Sequence, residues 1–305
     1  MLGEALSLAS ALSWSVAVVL FRRVFAGEAP VSPFALNLFK NAVAILLMTA
    51  TLLVLGESVN TARTTEDWIR LIASGVLGIA ISDLLFFHAL RRLGAGRLTV
   101  VECAYAPSVA LFGMLMLGEV PTAGDALGAG LVAAGMLVMA TGRPSPGGRG
   151  AAGEPDASPI AGALFGLGAM LTVAAAIIVA KPAFESGGLV EVALIRLVSG
   201  AVALMLFTLP SRTRRAELAV LRPSPAWRAM IPAAVLGSWL SMLLWVGGFK
   251  YTDAATAAVL NQTTTVFTLL LARVMLGEPL TGRRISAVLL GFSGALCVLL
   301  TRAGA

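Results

Sequence analysis

The sequence predicts an all-α integral membrane protein: ten transmembrane helices arranged as two inverted five-helix repeats. Three observations carry that prediction. The 305 residues are 58% hydrophobic and 12% charged, against roughly 25% charged in an ordinary soluble domain, and the mean hydropathy is +0.91. Ten apolar stretches are long enough to cross a bilayer, whose core of about 30 Å needs about 20 helical residues because no backbone group can be left unpaired in hydrocarbon. Finally, Leu117-Gly118-Glu119 returns as Leu276-Gly277-Glu278, 159 residues later. The same offset pairs Trp68 with Trp227, Phe86 with Trp245, Gly78 with Gly237, Ala95 with Ala254 and Gly3 with Gly162. One register therefore runs through both halves, as a duplication would leave it.

In order, the first repeat (residues 1–141) places helices near 2–24, 33–55, 68–91, 95–117 and 122–141. The first run has no basic n-region and no small-residue cleavage site, so it reads as a retained helix and not as a signal peptide. Trp68 opens the third helix, where an indole suits the headgroup layer. Between the repeats, residues 142–158 are rich in Gly and Pro and lack apolar periodicity, which predicts a flexible linker. The second repeat (159–302) places helices near 160–182, 189–209, 227–250, 254–276 and 282–301, with Trp227 at the start of the third of these. Gly124/Gly128, Gly162/Gly166 and Gly291/Gly294 give small-residue faces for close helix approach, with dimerisation as the alternative. Five is an odd number, so the second copy enters the membrane from the opposite side. That inverted geometry underlies alternating-access carriers, whose site lies near the midplane between the repeats.

The net charge of +6 does not point to nucleic acid, because the arginines sit in short gaps between apolar runs, where they set topology. Cys103 and Cys297 stand singly in apolar segments and read as small packing residues. No phosphate loop or metal cage is present, so no cofactor is expected.

Taken together, these residues resemble the EamA-type carriers of the drug/metabolite transporter superfamily, with the whole chain as two EamA repeats. The resemblance is carried by Leu117-Gly118-Glu119 with Gly128 and Gly135, by Leu276-Gly277-Glu278 with Gly291 and Gly294, by the aromatic-rich third helix ending in Ala89-Leu90, and by Arg196-Leu197-Val198-Ser199-Gly200. The first half departs from it: Asn37 stands where Arg196 does in the second, and Lys40 follows one turn later. The resemblance implies a multi-pass plasma-membrane transporter of a small molecule, with both termini cytoplasmic. Loop charges say the reverse. Fifteen arginines follow helices one, three, five, seven and nine, against five Lys or Arg on the other face, which by the positive-inside rule puts both termini outside.

A charged side chain at mid-bilayer costs about 2.5 to 3.5 kcal/mol on insertion scales, so each one calls for an explanation. Lys40, Asp83 and Glu102 fall within one turn of each other in depth, at about 1.5 Å of rise per residue. His88 lies nearer the arginine-rich surface. They read as a polar cluster in which Asp83 and Glu102 exchange protons, Lys40 is their counter-ion, and His88, the one histidine, is a relay or gate. The structural alternative is a plain Lys40 salt bridge with His88 bonded to a carbonyl. In repeat two, Asn261 stands at the position of Glu102 and Met242 at that of Asp83, with Arg196 added. Inversion puts Arg196, Asn261 and Gln262 across the midplane, a polarity that suits a zwitterion or an anionic metabolite. Trp14 and Trp239 sit near helix middles, where their N–H groups need partners, and Tyr105, Phe86 and Trp245 extend an aromatic wall.

The function expected is a secondary transporter moving a small amphipathic or zwitterionic metabolite by alternating access, outward and with proton coupling. Membrane lipids are its surroundings, and nucleic acid is not a partner. A lipid or lipid-linked-precursor flippase is the second reading. An intramembrane serine protease, suggested by Gly291-Phe292-Ser293-Gly294 with His88 as base, is the remote third.

Overall fold

A computed structural model describes residues 2–27, 31–118, 120, 122–140, 158–185, 188–208, 217–252 and 260–303. Glu119 and residues 142–157 of the expected linker lie outside the described residues. Within them the chain is helical, without strands. The helices are α1 (Leu2–Ala26), α2 (Pro33–Val54), α3 (Thr65–Leu93), α4 (Ala95–Glu102, then Tyr105–Leu117), α5 (Ala123–Ala140), α6 (Pro159–Glu185), α7 (Leu189–Thr208), α8 (from Trp227–Ala234 through Val235–Leu240 to Ser241–Tyr251), α9 (Thr264–Leu276) and α10 (Gly282–Ala303). Eight of them are long and apolar enough to cross a membrane, while α5 is a shorter apolar helix and α9 is described over 13 residues.

Local chemistry sets the boundaries. Ser32 caps α2 by accepting the Ala35 N–H at 2.9 Å, with Pro33 at the first helical position, where a missing N–H costs nothing. Thr64 caps α3 in the same way through Asp67. Gly118 and Gly277 stop α4 and α9 in the left-handed region, at φ 68° and 67°, a conformation that only glycine adopts freely. The glycine of each Leu-Gly-Glu motif is thus a helix stop.

Two departures from continuous helices occur, and both repeat at the offset of the sequence. α3 widens into a π-helix over Val76–Ser82, and α8 does so over Val235–Leu240. π turns inside α-helices are rare and gather at functional sites. α4 breaks at Cys103–Ala104, where Pro107 has no N–H to offer the Cys103 carbonyl. The residues immediately before α9 break at Thr263. In both, the chain tightens to an i−3 bond, Ala104 N–H to Val101 O and Thr263 N–H to Leu260 O.

The small-residue faces are used within the chain. A Cβ added at Gly128 would lie 2.5 Å from Gly294 O, and one at Gly135 would lie 2.7 Å from Ala287 O, so α5 and α10 pack backbone to backbone. A Cβ at Gly166 would meet the Val101 side chain at 2.6 Å, which joins α6 to α4. Inversion of the repeats shows in one contact: Ala95–Glu102, the start of α4, packs against α9, and Glu278, just past the end of α9, bonds to the first amides of α4. Towards this arginine-rich end the interior is tightly filled. Phe21, Phe87, Leu90, Leu93 and Leu98 are 0 to 1% exposed and belong to one core cluster.

Candidate functional site

Below that apolar plug, at mid-bundle, lies a cavity of about 270 Å³ walled by α1 to α4 and α6 to α9, near the low end of the roughly 300–1,000 Å³ usual for small-molecule pockets. Its wall is built from equivalent positions of the two repeats. Gly78 and Gly237, Ser82 and Ser241, and Phe86 and Trp245 all line it. The π segments of α3 and α8 therefore face the cavity, and so do the breaks of α4 and α9, which present Glu102 and Tyr105 on one side and Asn261, Gln262 and Thr264 on the other. Irregular backbone at membrane depth is tolerated where it lines such a space.

Charge breaks the pseudo-symmetry. Lys40 on α2 is 3% exposed, and its Nζ lies 2.6 Å from Asp83 Oδ2 at the start of the α-helical part of α3. The same Nζ donates to Asn41 Oδ1 at 3.1 Å, Asn41 donates to Asn37 Oδ1 at 3.1 Å, and Asn37 donates to the carbonyls of Ile79 and Ala80 at 3.0 and 3.3 Å. A polar chain thus runs from the ion pair to the carbonyls of the π segment and fixes α2 against α3. Asn37 and Asn41 were not predicted as site residues, although polar residues at i, i+3 and i+4 around Lys40 in an apolar helix are the signal for such a network.

Glu102 stands apart from this pair. Its Oε1 accepts from Trp14 Nε1 at 3.5 Å, while its Oε2 is buried with no hydrogen-bond partner among the described residues. Trp14 packs on Phe86 with ring centroids 5.6 Å apart. Across the cavity, Arg196 is 5% exposed and interacts electrostatically with Asp83 and Tyr105. Its Nη2 would lie 3.3 Å from a Cβ placed on Gly78, so the glycine leaves room for the guanidinium. Gln262 donates to Thr265 Oγ1 at 3.2 Å.

Of the residues expected from sequence, Trp14, Lys40, Asp83 and Glu102 line this one space, and so do Tyr105, Arg196, Asn261 and Gln262. The last three share it with the acidic residues. Trp239 and His88 are placed elsewhere. The Trp239 indole turns to α2 and donates to Thr51 Oγ1 at 3.0 Å, so its partner is a threonine and not the cavity. His88 Nδ1 is 3.2 Å from Arg92 Nη1, and its ring stacks on Phe165 at 5.1 Å. Ser293 lies on the exposed side of α10, while Gly291 and Gly294 of the same motif pack inward against Cys103 and Gly128. The small residues of that motif thus serve helix packing.

The description of the EamA-like transporter family matches this chain twice, over residues 1–141 and 160–300. Of solved structures, 28 chains match. One, titled only as the crystal structure of a protein, is 20% identical over 99% of this chain and 98% of its own, with a TM-score of 0.66, which speaks to the fold alone. Among curated proteins none matches significantly.

Proposed function

The chain belongs to the EamA-like transporter family, and from that premise we propose that it is a secondary carrier exporting a small zwitterionic metabolite through the central cavity by alternating access. One observation carries the substrate class. Within a single space, beside the Lys40–Asp83 pair at 2.6 Å, the wall carries charges of both signs, the carboxylate of Glu102 and the guanidinium of Arg196, which interacts with Asp83. A substrate bearing both a cation and an anion complements both. Trp14 and Phe86 offer an apolar body a surface between them, and a few convergent polar groups on an otherwise apolar wall are what fixes orientation in small-molecule sites.

Glu102 also supports proton coupling. A buried carboxylate oxygen without a partner is costly to keep bare, and either a proton or a substrate N–H relieves it. Inverted repeats supply the conformational cycle, since exchanging the shapes of two equivalent halves moves the seal from one face to the other.

The lipid reading stands second, and one feature favours it: a wholly apolar groove lined by Ile45 on α2 and by Val198, Ala201, Val202, Met205 and Leu206 on α7. The groove shares no lining residue with the central cavity, so a headgroup in the cavity would not have its chains there.

Intrinsic fluorescence of the purified protein tests the substrate class. Titrated with a panel of amino acids, monocarboxylates and primary amines, it is expected to respond saturably to zwitterions, with the response lost in Trp14→Phe. Saturation by amines alone or by carboxylates alone would overturn the assignment.

A further inference from the structure

The acidic residue of the second Leu-Gly-Glu motif has no part in the cavity, yet it is 5% exposed and fully engaged. Gly277 stops α9 in the left-handed region, and the chain then turns so that Glu278 reaches across to the other repeat. Its Oε1 accepts the Ala95 N–H and its Oε2 the Gly96 N–H, both at 3.1 Å. These are two of the amides that the start of a helix leaves without partners, and a carboxylate there also meets the positive end of the helix dipole. The approach depends on glycine. A Cβ on Gly94 would lie 2.8 Å from Oε1 and one on Gly96 2.9 Å from Oε2, and Gly94 has φ 78°.

The surroundings of Glu278 are cationic. Arg284 Nη1 donates to Oε2 at 3.2 Å and to Pro279 O at 2.9 Å, and Arg22 and Arg97 are close enough to interact with the carboxylate electrostatically. All three arginines are less than 9% exposed. One carboxylate thus holds together three cations contributed by α1, α4 and α10. Its loss removes an attraction that draws those three helices together at this face.

Other polar contacts also join the repeats. At the opposite face, Glu191 at the start of α7 accepts from Arg63 Nε and from the Asn60 N–H, both at 2.9 Å. At the arginine-rich face, Ser32 bonds to Glu217, and Arg23 Nη2 donates to Met275 O at 2.8 Å. The Glu191 contact ties the α2–α3 connection to the start of α7, whereas the Glu278 cap joins the α9–α10 turn to α4 at the end of the bundle that the apolar plug fills.

We propose that Glu278 is the latch of the arginine-rich face: its bonds to Ala95 and Gly96 hold that face shut, and they break when the cavity opens to that side. This rests on the alternating-access reading, but its test reads conformation and needs no substrate. In a background of Cys103→Ala and Cys297→Ala, Leu98→Cys places a thiol at a site that is 0% exposed in the closed state, and its rate of reaction with a soluble maleimide measures opening. Glu278→Gln is expected to raise that rate roughly five-fold or more, the population change that loss of one helix cap produces. Gly96→Ala, which crowds Oε2 while leaving every charge in place, is expected to act in the same direction. Glu191→Gln is the control and is expected to leave the rate unchanged. An unchanged rate in folded, monodisperse Gly96→Ala or Glu278→Gln overturns the latch, as does an equal rise in Glu191→Gln.

Discussion

Lys40 Nζ and Asp83 Oδ2 are 2.6 Å apart, with the lysine side chain 4% and the aspartate 20% exposed, so α2 and α3 are joined by an ion pair inside the bundle. Removing one partner from such a pair leaves an uncompensated charge and typically costs about 3 to 5 kcal/mol, whereas replacing both by apolar groups is often close to neutral. Asp83→Asn is therefore expected to lower the thermal midpoint of the detergent-solubilised protein sharply. Lys40→Met with Asp83→Leu is expected to recover most of that loss. A double variant as unstable as the single one contradicts the pair's structural part.

Glu102 predicts the opposite pattern. Its Oε2 has no partner to lose among the described residues, so Glu102→Gln is expected to change stability by less than about 1 kcal/mol, within the range of substitutions that break no buried contact. Transport driven by a pH gradient is expected to lose its pH dependence in this variant. A normal pH profile in Glu102→Gln vesicles would remove the acid from proton coupling.

Gly128 meets Gly294 and Val298 inside the chain, and a large side chain has no room there. Gly128→Leu is expected to destabilise by more than the roughly 1–3 kcal/mol of ordinary overpacking, because it forces two helix backbones apart. Its oligomeric state by light scattering is expected to match that of the wild type. A change of oligomeric state without loss of stability would return the glycine face to dimerisation.

The arginine distribution predicts orientation. Several of the fifteen arginines on one face serve structure: Arg22 donates to Arg91 O and Arg23 to Met275 O, and Arg284 is engaged with Glu278. Setting these three and Arg97 aside, and on the other face Arg63, which is bonded to Glu191, still leaves eleven against four, so that face is expected in the cytoplasm and the termini outside. A C-terminal alkaline phosphatase fusion is expected to be active. An inactive phosphatase paired with a bright C-terminal fluorescent fusion would place the termini inside.

Much of the fold was legible in the sequence because the signals are periodic and strong: apolar length marked the helices, and the offset of 159 marked the repeat. The same offset carried further than expected, since it also relates the two π segments and the two helix breaks. Those irregularities were not legible. π turns have no composition of their own, and of the two breaks only that at Cys103 has a proline behind it.

The site was legible where the cost of burial marks a residue, as for Lys40, Asp83, Glu102 and Arg196. It was not legible for Trp239 and His88, because depth along a helix says nothing about which side a residue faces. Trp239 turns to Thr51 and His88 to Arg92 and Phe165. Glu278 was noticed as a motif, but its role depends on the inversion that brings the end of α9 to the start of α4.

Untargeted metabolite profiling of medium and cytosol, from cells expressing the wild type or Glu102→Gln at matched levels, tests the central claim most directly. The account predicts a zwitterionic compound enriched outside by the wild type and not by the variant. No difference between the two profiles, or enrichment confined to lipids, would contradict it.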